Sequence, residues 1–226
     1  MSTSAQLNGA ELCGGDEVNK VAILCCSSRS AYRGMESVEL YDERRDARTF
    51  EGGMPVVAHP PCRAWSAYTR HQAKPEPGEK ALGLWCVEQV IRWGGILEQP
   101  AHSRLFQASG LPKPGSKPFA VTRMGSATSP FDCVGWSTEV WQCWWGFFQM
   151  KQTWLFFSRI RRDAVQFPLS LHPEGGDKRA WQLASKQGRS RTTEAFAKWL
   201  VETARQVISP PTERAGLVQT EGCKPI

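Results

Sequence analysis

No apolar run in the 226-residue sequence approaches the ~18 residues that a membrane-spanning helix needs, so no such helix is expected. A secretory leader is not expected either. Met1 to Lys20 carries Glu11, Asp16 and Glu17 against the single basic residue Lys20, and the apolar run that follows is too short for a signal segment. A cytoplasmic chain is the expectation. Internal repeats are absent. His59-x-x-Cys62 with His71 has part of the look of a zinc site, but no second CxxC or HxxxH pair completes it, so no metal is expected. Tyrosine is scarce, with three residues beside ten tryptophans.

The composition, 41% hydrophobic and 22% charged, is that of a globular domain. Eight cysteines are many, but without an export signal they are read as reduced thiols. Cys25, Cys26 and Cys86 lie in apolar runs and read as small core residues. The tryptophan excess reads either as a core of large aromatics or as rings that stack on bases. A formal charge of +6 is compatible with a polyanionic partner.

Along the chain, Val21 to Cys26 is a continuous apolar run and reads as a buried strand. Val38 to Tyr41 is a second strand, and Val56 to His59 is a third, stopped by Pro60 and Pro61. Glu79 to Trp93 has apolar residues at helical spacing between Pro77-Gly78 and Gly94-Gly95. Gly95 to Leu97 begins a further strand. Strand, helix, strand is a βαβ unit and implies an α/β fold with a parallel, doubly wound sheet. Leu111 to Gly135 reads as a long loop or small insertion, Thr153 to Phe157 as a strand, and Thr192 to Ile208 as a helix with Phe196, Trp199, Leu200 and Val207 on one face. A single domain over 21–208 is expected, with a flexible 1–20 segment and a disordered 209–226 tail.

The segment Val56-Val57-Ala58-His59-Pro60-Pro61-Cys62-Arg63-Ala64-Trp65-Ser66 carries the chemistry. The carboxyl ends of strands in an open α/β sheet are where ligands bind. Two prolines fix the direction of a thiol presented there. A thiol there can be a nucleophile if nearby cations such as Arg63 lower its pKa. A Pro-rich turn around an inert buried cysteine is the other reading of the same residues.

Pro60-Pro61-Cys62, with Ser66 four residues on, resembles the Pro-Pro-Cys motif of the DNA (cytosine-5) methyltransferases. Glu98-Gln99-Pro100, after the strand beginning at Gly95, is similar to that family's Glu-Asn-Val motif and follows Cys62 by 36 residues. Trp145 to Thr153 is similar to the family's Gly-Val-Pro-Gln-x-Arg-x-Arg segment, with Gln149 and Lys151 matching and Thr153 replacing the second Arg. Arg191 to Ala204 resembles its C-terminal helix. The chain also resembles small phage and prophage proteins with His-Pro-Pro-Cys-x-x-Trp and Leu-Glu-x-Pro motifs, which would place it in a bacterial host cell.

The resemblance implies a Rossmann-like methyltransferase fold with a mostly parallel sheet, and attack of Cys62 on carbon 6 of a pyrimidine in DNA. Glu98 would hold the ring, and Lys151 or Arg63 would offset developing charge. It implies a flipped target base and S-adenosylmethionine held by Ser27, Ser28, Asp42, Asp46 and Pro60. DNA contacts would come from Arg63, Trp65, Ser66 and Gln149. Arg159 and Arg161 read as phosphate contacts or as a solvated face. His59 and His71, or a bound water, are candidates to remove the carbon-5 proton. Three departures stand out. The loop after the first strand has one late glycine, Gly34, where the family has a Phe-x-Gly-x-Gly loop. The span from Asp42 to the Cys62 strand is compressed, as if one strand were missing. The large target-recognition region is absent, which points to a companion protein or to Leu111–Gly135 and the basic stretch Lys178–Arg191. The competing readings are a related enzyme with another donor or a nucleotide substrate, and an inactive DNA-binding relative.

Overall fold

The computed structural model describes residues 20–66, 74–116, 119–120, 134–168 and 191–208. The expected flexible N-terminus before Lys20, the expected tail 209–226, His71, Lys178 and Arg179 lie outside these residues. Seven strands form one sheet in the order β2-β1-β3-β4-β7-β6-β5. They are β1 (Val21–Leu24), β2 (Val38–Tyr41), β3 (Val56–Ala58), β4 (Gly95–Pro100), β5 (Phe119–Ala120), β6 (Val134–Trp141) and β7 (Gln152–Ser158). The helices are α1 (Glu79–Trp93), α2 (Arg104–Ala108) and α3 (Glu194–Ala204).

β2, β1, β3 and β4 pair in parallel. β7 is antiparallel to β4, and β6 is antiparallel to β7, so β6 runs with β4. β5 is antiparallel to β6. Five strands therefore share one direction, and β7 and β5 oppose it. The fold is α/β, as expected. The crossovers from β1 to β2 and from β2 to β3 contain turns and a short 3-10 segment at Ala47–Thr49, where a doubly wound sheet would have helices. Among the described residues no helix is long and apolar enough to cross a membrane.

Strict alternation divides the strands between two cores. Ala22, Leu24, Val56, Ala58, Leu97, Trp154 and Phe156 face α1 and its Cys86, Val87 and Val90. Val21, Ile23, Val57, Ile96, Leu155 and Phe157 face α3 and its Phe196, Leu200 and Val201. The sheet is thus covered on both faces, which explains why its strands read as continuous apolar runs. Helix α1 buries Glu79, Gly83, Cys86, Val87 and Val90, the spacing of one helical face. It ends at Gly94, with φ 80°, and the left-handed Gly95 follows with φ 123°. A Cβ at Gly95 would stand 1.9 Å from the Val56 carbonyl oxygen, so only glycine lets β4 start against β3. Eight of the ten tryptophans lie in or against these cores, which favours the core reading of the tryptophan excess.

The structure departs from the expected elements in four places. β1 stops at Leu24 because Cys25 takes a left-handed conformation (φ 59°) that ends the ladder. β4 runs on through Glu98, Gln99 and Pro100 because β7 pairs with its whole length. The segment Leu111–Gly135, expected as a loop, contains β5 and the start of β6, which runs on to Trp141. α2 is an unforeseen single turn capped by the Ser103 hydroxyl, which accepts from the Leu105 N–H.

Candidate active site

The carboxyl ends of β1, β3 and β4 meet at one rim, where the strand order changes direction around β1. Register determines what meets there. Ala58 pairs with Leu97, so one step further His59 lies beside Glu98, and two steps further Pro60 lies beside Gln99. Alternation sends His59 and Glu98 to the α3 face and Pro60 and Gln99 to the other.

On the α3 face a buried polar row crosses the rim. The Tyr32 hydroxyl is 2.7 Å from His59 Nε2. His59 Nδ1 is 3.0 Å from Glu98 Oε2. Gln142 Nε2 donates to Glu98 Oε1 at 3.2 Å and to the Thr153 hydroxyl at 3.0 Å. An ionised carboxylate only accepts, so His59 Nδ1 carries the hydrogen of that contact. Burial acts to raise the Glu98 carboxyl. The His59 hydrogen bond and the charges of Lys151 and His59 outweigh it and hold Glu98 below the usual carboxylate range. Burial, and then the Glu98 charge, pushes the Tyr32 phenol well above its ordinary value. On the other face Gln99 Nε2 donates to the Pro60 carbonyl at 2.7 Å, and Ser103 donates to Gln99 at 3.0 Å, which anchors the Pro60-Pro61 turn to β4.

Cys62 opens a 3-10 turn, Cys62–Ala64, directly after this anchor and is exposed. Burial of the sulfur and the nearby Glu98 charge raise the thiol above its ordinary value, and Lys151 acts to lower it. Cys62, Glu98 and Lys151 thus share one electrostatic neighbourhood. The expected cation does not act as expected. Arg63 is committed to Glu79, with Nε 2.7 Å and 2.9 Å from its two carboxylate oxygens, and the thiol beside it is raised rather than lowered. That pair ties the Cys62 turn to the start of α1. Lys151 lies half-buried before β7, with its ammonium 5.3 Å from the Phe147 ring centroid.

The other expected contacts divide clearly. Trp65, expected to face DNA, is 8% exposed and belongs to the α1 core. A Cβ at Gly83 would come within 2.4 Å of its indole nitrogen, so the ring lies against the helix backbone. Ser66 and Gln149 are half-buried beside the rim. Arg159 and Arg161 follow β7, and β7 runs against β4, so they emerge at the opposite edge, where Ser158 pairs with Gly95. A six-residue strand separates the two edges by about 16–20 Å. Arg161 is moreover paired with Asp163. They do not share an interface with Cys62.

The resemblance implies S-adenosylmethionine at the β1 and β2 ends, and the residues there are already engaged within the chain. The Ser28 N–H donates to the Glu43 carboxylate at 2.6 Å. Ser27 Oγ accepts from the Arg29 N–H. Asp42 accepts from the Arg44 N–H at 2.8 Å and faces Arg33 at 3.6 Å. Asp46 caps the Ala47–Thr49 turn and pairs with Arg48. The Pro60 carbonyl is taken by Gln99. As arranged, this set does not fit the cofactor: its acids and its loop N–H are committed to partners in the chain.

Tyr32 and Gln142 were not foreseen in the sequence. The signal for Gln142 was a lone amide inside the aromatic run Trp141 to Trp145, now fully buried. Comparison with protein-family models, curated proteins and solved structures finds no match.

Proposed function

We propose that the chain activates carbon 5 of a pyrimidine in DNA, most simply cytosine, by reversible addition of Cys62 to carbon 6. The observation that carries this reading is the pairing of an exposed Cys62 with a buried, ionised Glu98 at adjacent strand ends, under the common influence of Lys151. The Pro-Pro-Cys and Leu-Glu-x-Pro motifs and the mostly parallel α/β sheet support it. The large target-recognition region is missing, so a companion protein is proposed to choose the target.

The chemistry follows from the charges. In the resting protein the Glu98 charge favours the protonated thiol of Cys62. A cytosine ring that takes up a proton at N3, and so donates to Glu98 from both N3–H and its exocyclic amine, offsets that charge. The thiol then loses its proton more readily, and substrate binding itself arms the nucleophile. The sulfur adds to carbon 6, the ring electrons move to carbon 5, and Lys151 stands near the charge that develops. Carbon 5 can then take an electrophile or a solvent proton, and loss of the original carbon-5 hydrogen with expulsion of the sulfur restores the ring. His59 is not the base for that hydrogen, since both of its ring nitrogens are occupied.

The test needs no donor. DNA carrying tritium at cytosine carbon 5 is incubated with the protein, and release of label to water is counted. The wild type is expected to release label and Cys62→Ser to release none. A wild type that releases none, with or without S-adenosylmethionine, overturns the reading. A second reading concerns the donor alone and is favoured by the Ser28–Glu43 contact: a group donor other than S-adenosylmethionine, or a nucleotide substrate. Calorimetry with S-adenosylmethionine separates the two: binding supports the methyl donor, and no binding at millimolar levels favours the second reading.

A further inference from the structure

Cys25 and Cys86 are 61 positions apart in sequence, yet their sulfur atoms are 3.6 Å apart. Alternation along β1 would send the residue after Leu24 to the α3 face. Cys25 instead has φ 59°, a conformation that non-glycine residues seldom adopt, and packs against the α1 core. A left-handed residue is thus what brings its sulfur to Cys86 on the buried side of α1. Cys25 is half-buried and within reach of small molecules, whereas Cys86 is fully buried. An approach of roughly 1.6 Å would bring the sulfurs to the ~2.05 Å of a disulfide bond. The neighbouring Cys26 is a poor competitor, because its sulfur is turned to the Tyr41 carbonyl at 3.6 Å.

We propose that Cys25 and Cys86 are a redox modification site, closed to a disulfide by a small-molecule disulfide of the glutathione class. The Cys25 thiol loses its proton to water, and the thiolate attacks one sulfur of the oxidant. A mixed disulfide forms and one glutathione thiolate leaves. Cys86, deprotonated in turn, attacks the Cys25 sulfur and expels the second glutathione. Two protein thiols are oxidised and one glutathione disulfide is reduced to two thiols. The bond would lock the end of β1, and the loop that carries Tyr32, to the helix whose Glu79 holds Arg63 beside Cys62. The site does not depend on what Cys62 does.

The reduced full-length protein, in a Cys62→Ser background to remove the thiol of the candidate active site, is treated with glutathione disulfide, quenched in acid and mapped by mass spectrometry. The expected product is one cross-linked pair of peptides, Cys25 to Cys86, with no glutathione retained on Cys25. In Cys86→Ser the second step is blocked, so glutathione is expected to stay on Cys25. Cys86→Ala repeats the test should the serine variant fail to fold. Oxidised protein is expected to unfold at higher urea than the reduced form, a gain absent in both Cys86 variants. Glutathione retained on Cys25 when Cys86 is present, a Cys25–Cys26 link, or no reaction at Cys25 overturns the proposal.

Discussion

Replacing Glu98 with Ala removes the acceptor of two buried hydrogen bonds at once, from His59 Nδ1 and from Gln142 Nε2. His59 is about one-eighth exposed and Gln142 is fully buried, so water reaches the orphaned donors poorly. Each buried donor left unpaired costs about 1–3 kcal/mol, so the variant should lose about 2–6 kcal/mol of stability. That is a large share of the ~5–15 kcal/mol typical of a domain. Glu98→Gln keeps one acceptor oxygen but turns an amide toward a donor, and should lose about 1–3 kcal/mol. Urea unfolding followed by tryptophan fluorescence measures both. Acid should shrink the difference. The Glu98 carboxyl is held below its ordinary range, so its contribution is complete above that range and disappears as pH falls through the folded-state value. Glu98→Ala and Gln142→Ala should also be non-additive, with a coupling of about 0.5–3 kcal/mol. A Glu98→Ala protein as stable as the wild type at pH 7, or a deficit that grows in acid, refutes the polar row as drawn.

Three further outcomes are expected. Alkylation of Cys62 by iodoacetamide should titrate above the range of an ordinary thiol; Glu98→Gln should speed it at pH 8 and Lys151→Met should slow it, and the reverse order would disprove the shared electrostatic neighbourhood. Gly95→Ala should cost about 2–6 kcal/mol, from strain at a left-handed position and from overlap with β3; a loss under about 1 kcal/mol in urea melts would mean β4 can shift away. Trp65→Ala should cost about 3–5 kcal/mol in stability while leaving the salt dependence of DNA binding unchanged, and a changed slope in filter-binding titrations would return Trp65 to the interface.

Much of the rim was legible because its information is local. An apolar run stopped by two prolines marks a strand end, and Cys62 and Glu98 both follow such runs. The contact between His59 and Glu98 was not legible, because it arises from the register of two strands that α1 separates in sequence. Tyr32 and Gln142 reach Glu98 across still longer separations. The distance of Arg159 and Arg161 from the Cys62 rim was not legible for a different reason. Proximity to the site depends on strand direction, and nothing in Thr153 to Phe157 reveals that β7 runs against its neighbour. Arg63 was misread because its charge was counted without Glu79. β6 was missed because its aromatic residues hid a period of two: Trp136 is buried in the α3 core, whereas Glu139 points to the Trp154 indole on the opposite face.

The one-step offset between Ala58–Leu97 and His59–Glu98 makes the chemistry a property of alignment rather than of any single side chain. A lone residue inserted into or deleted from β4 ahead of Glu98 would leave every motif intact to the eye, yet turn the carboxylate toward α1, out of reach of the imidazole. Evolution along this lineage should therefore tolerate replacements around the rim far more readily than length changes within β3 or β4. In an uncharacterised relative, the spacing from Gly95 to Glu98 is a better marker of retained chemistry than similarity elsewhere.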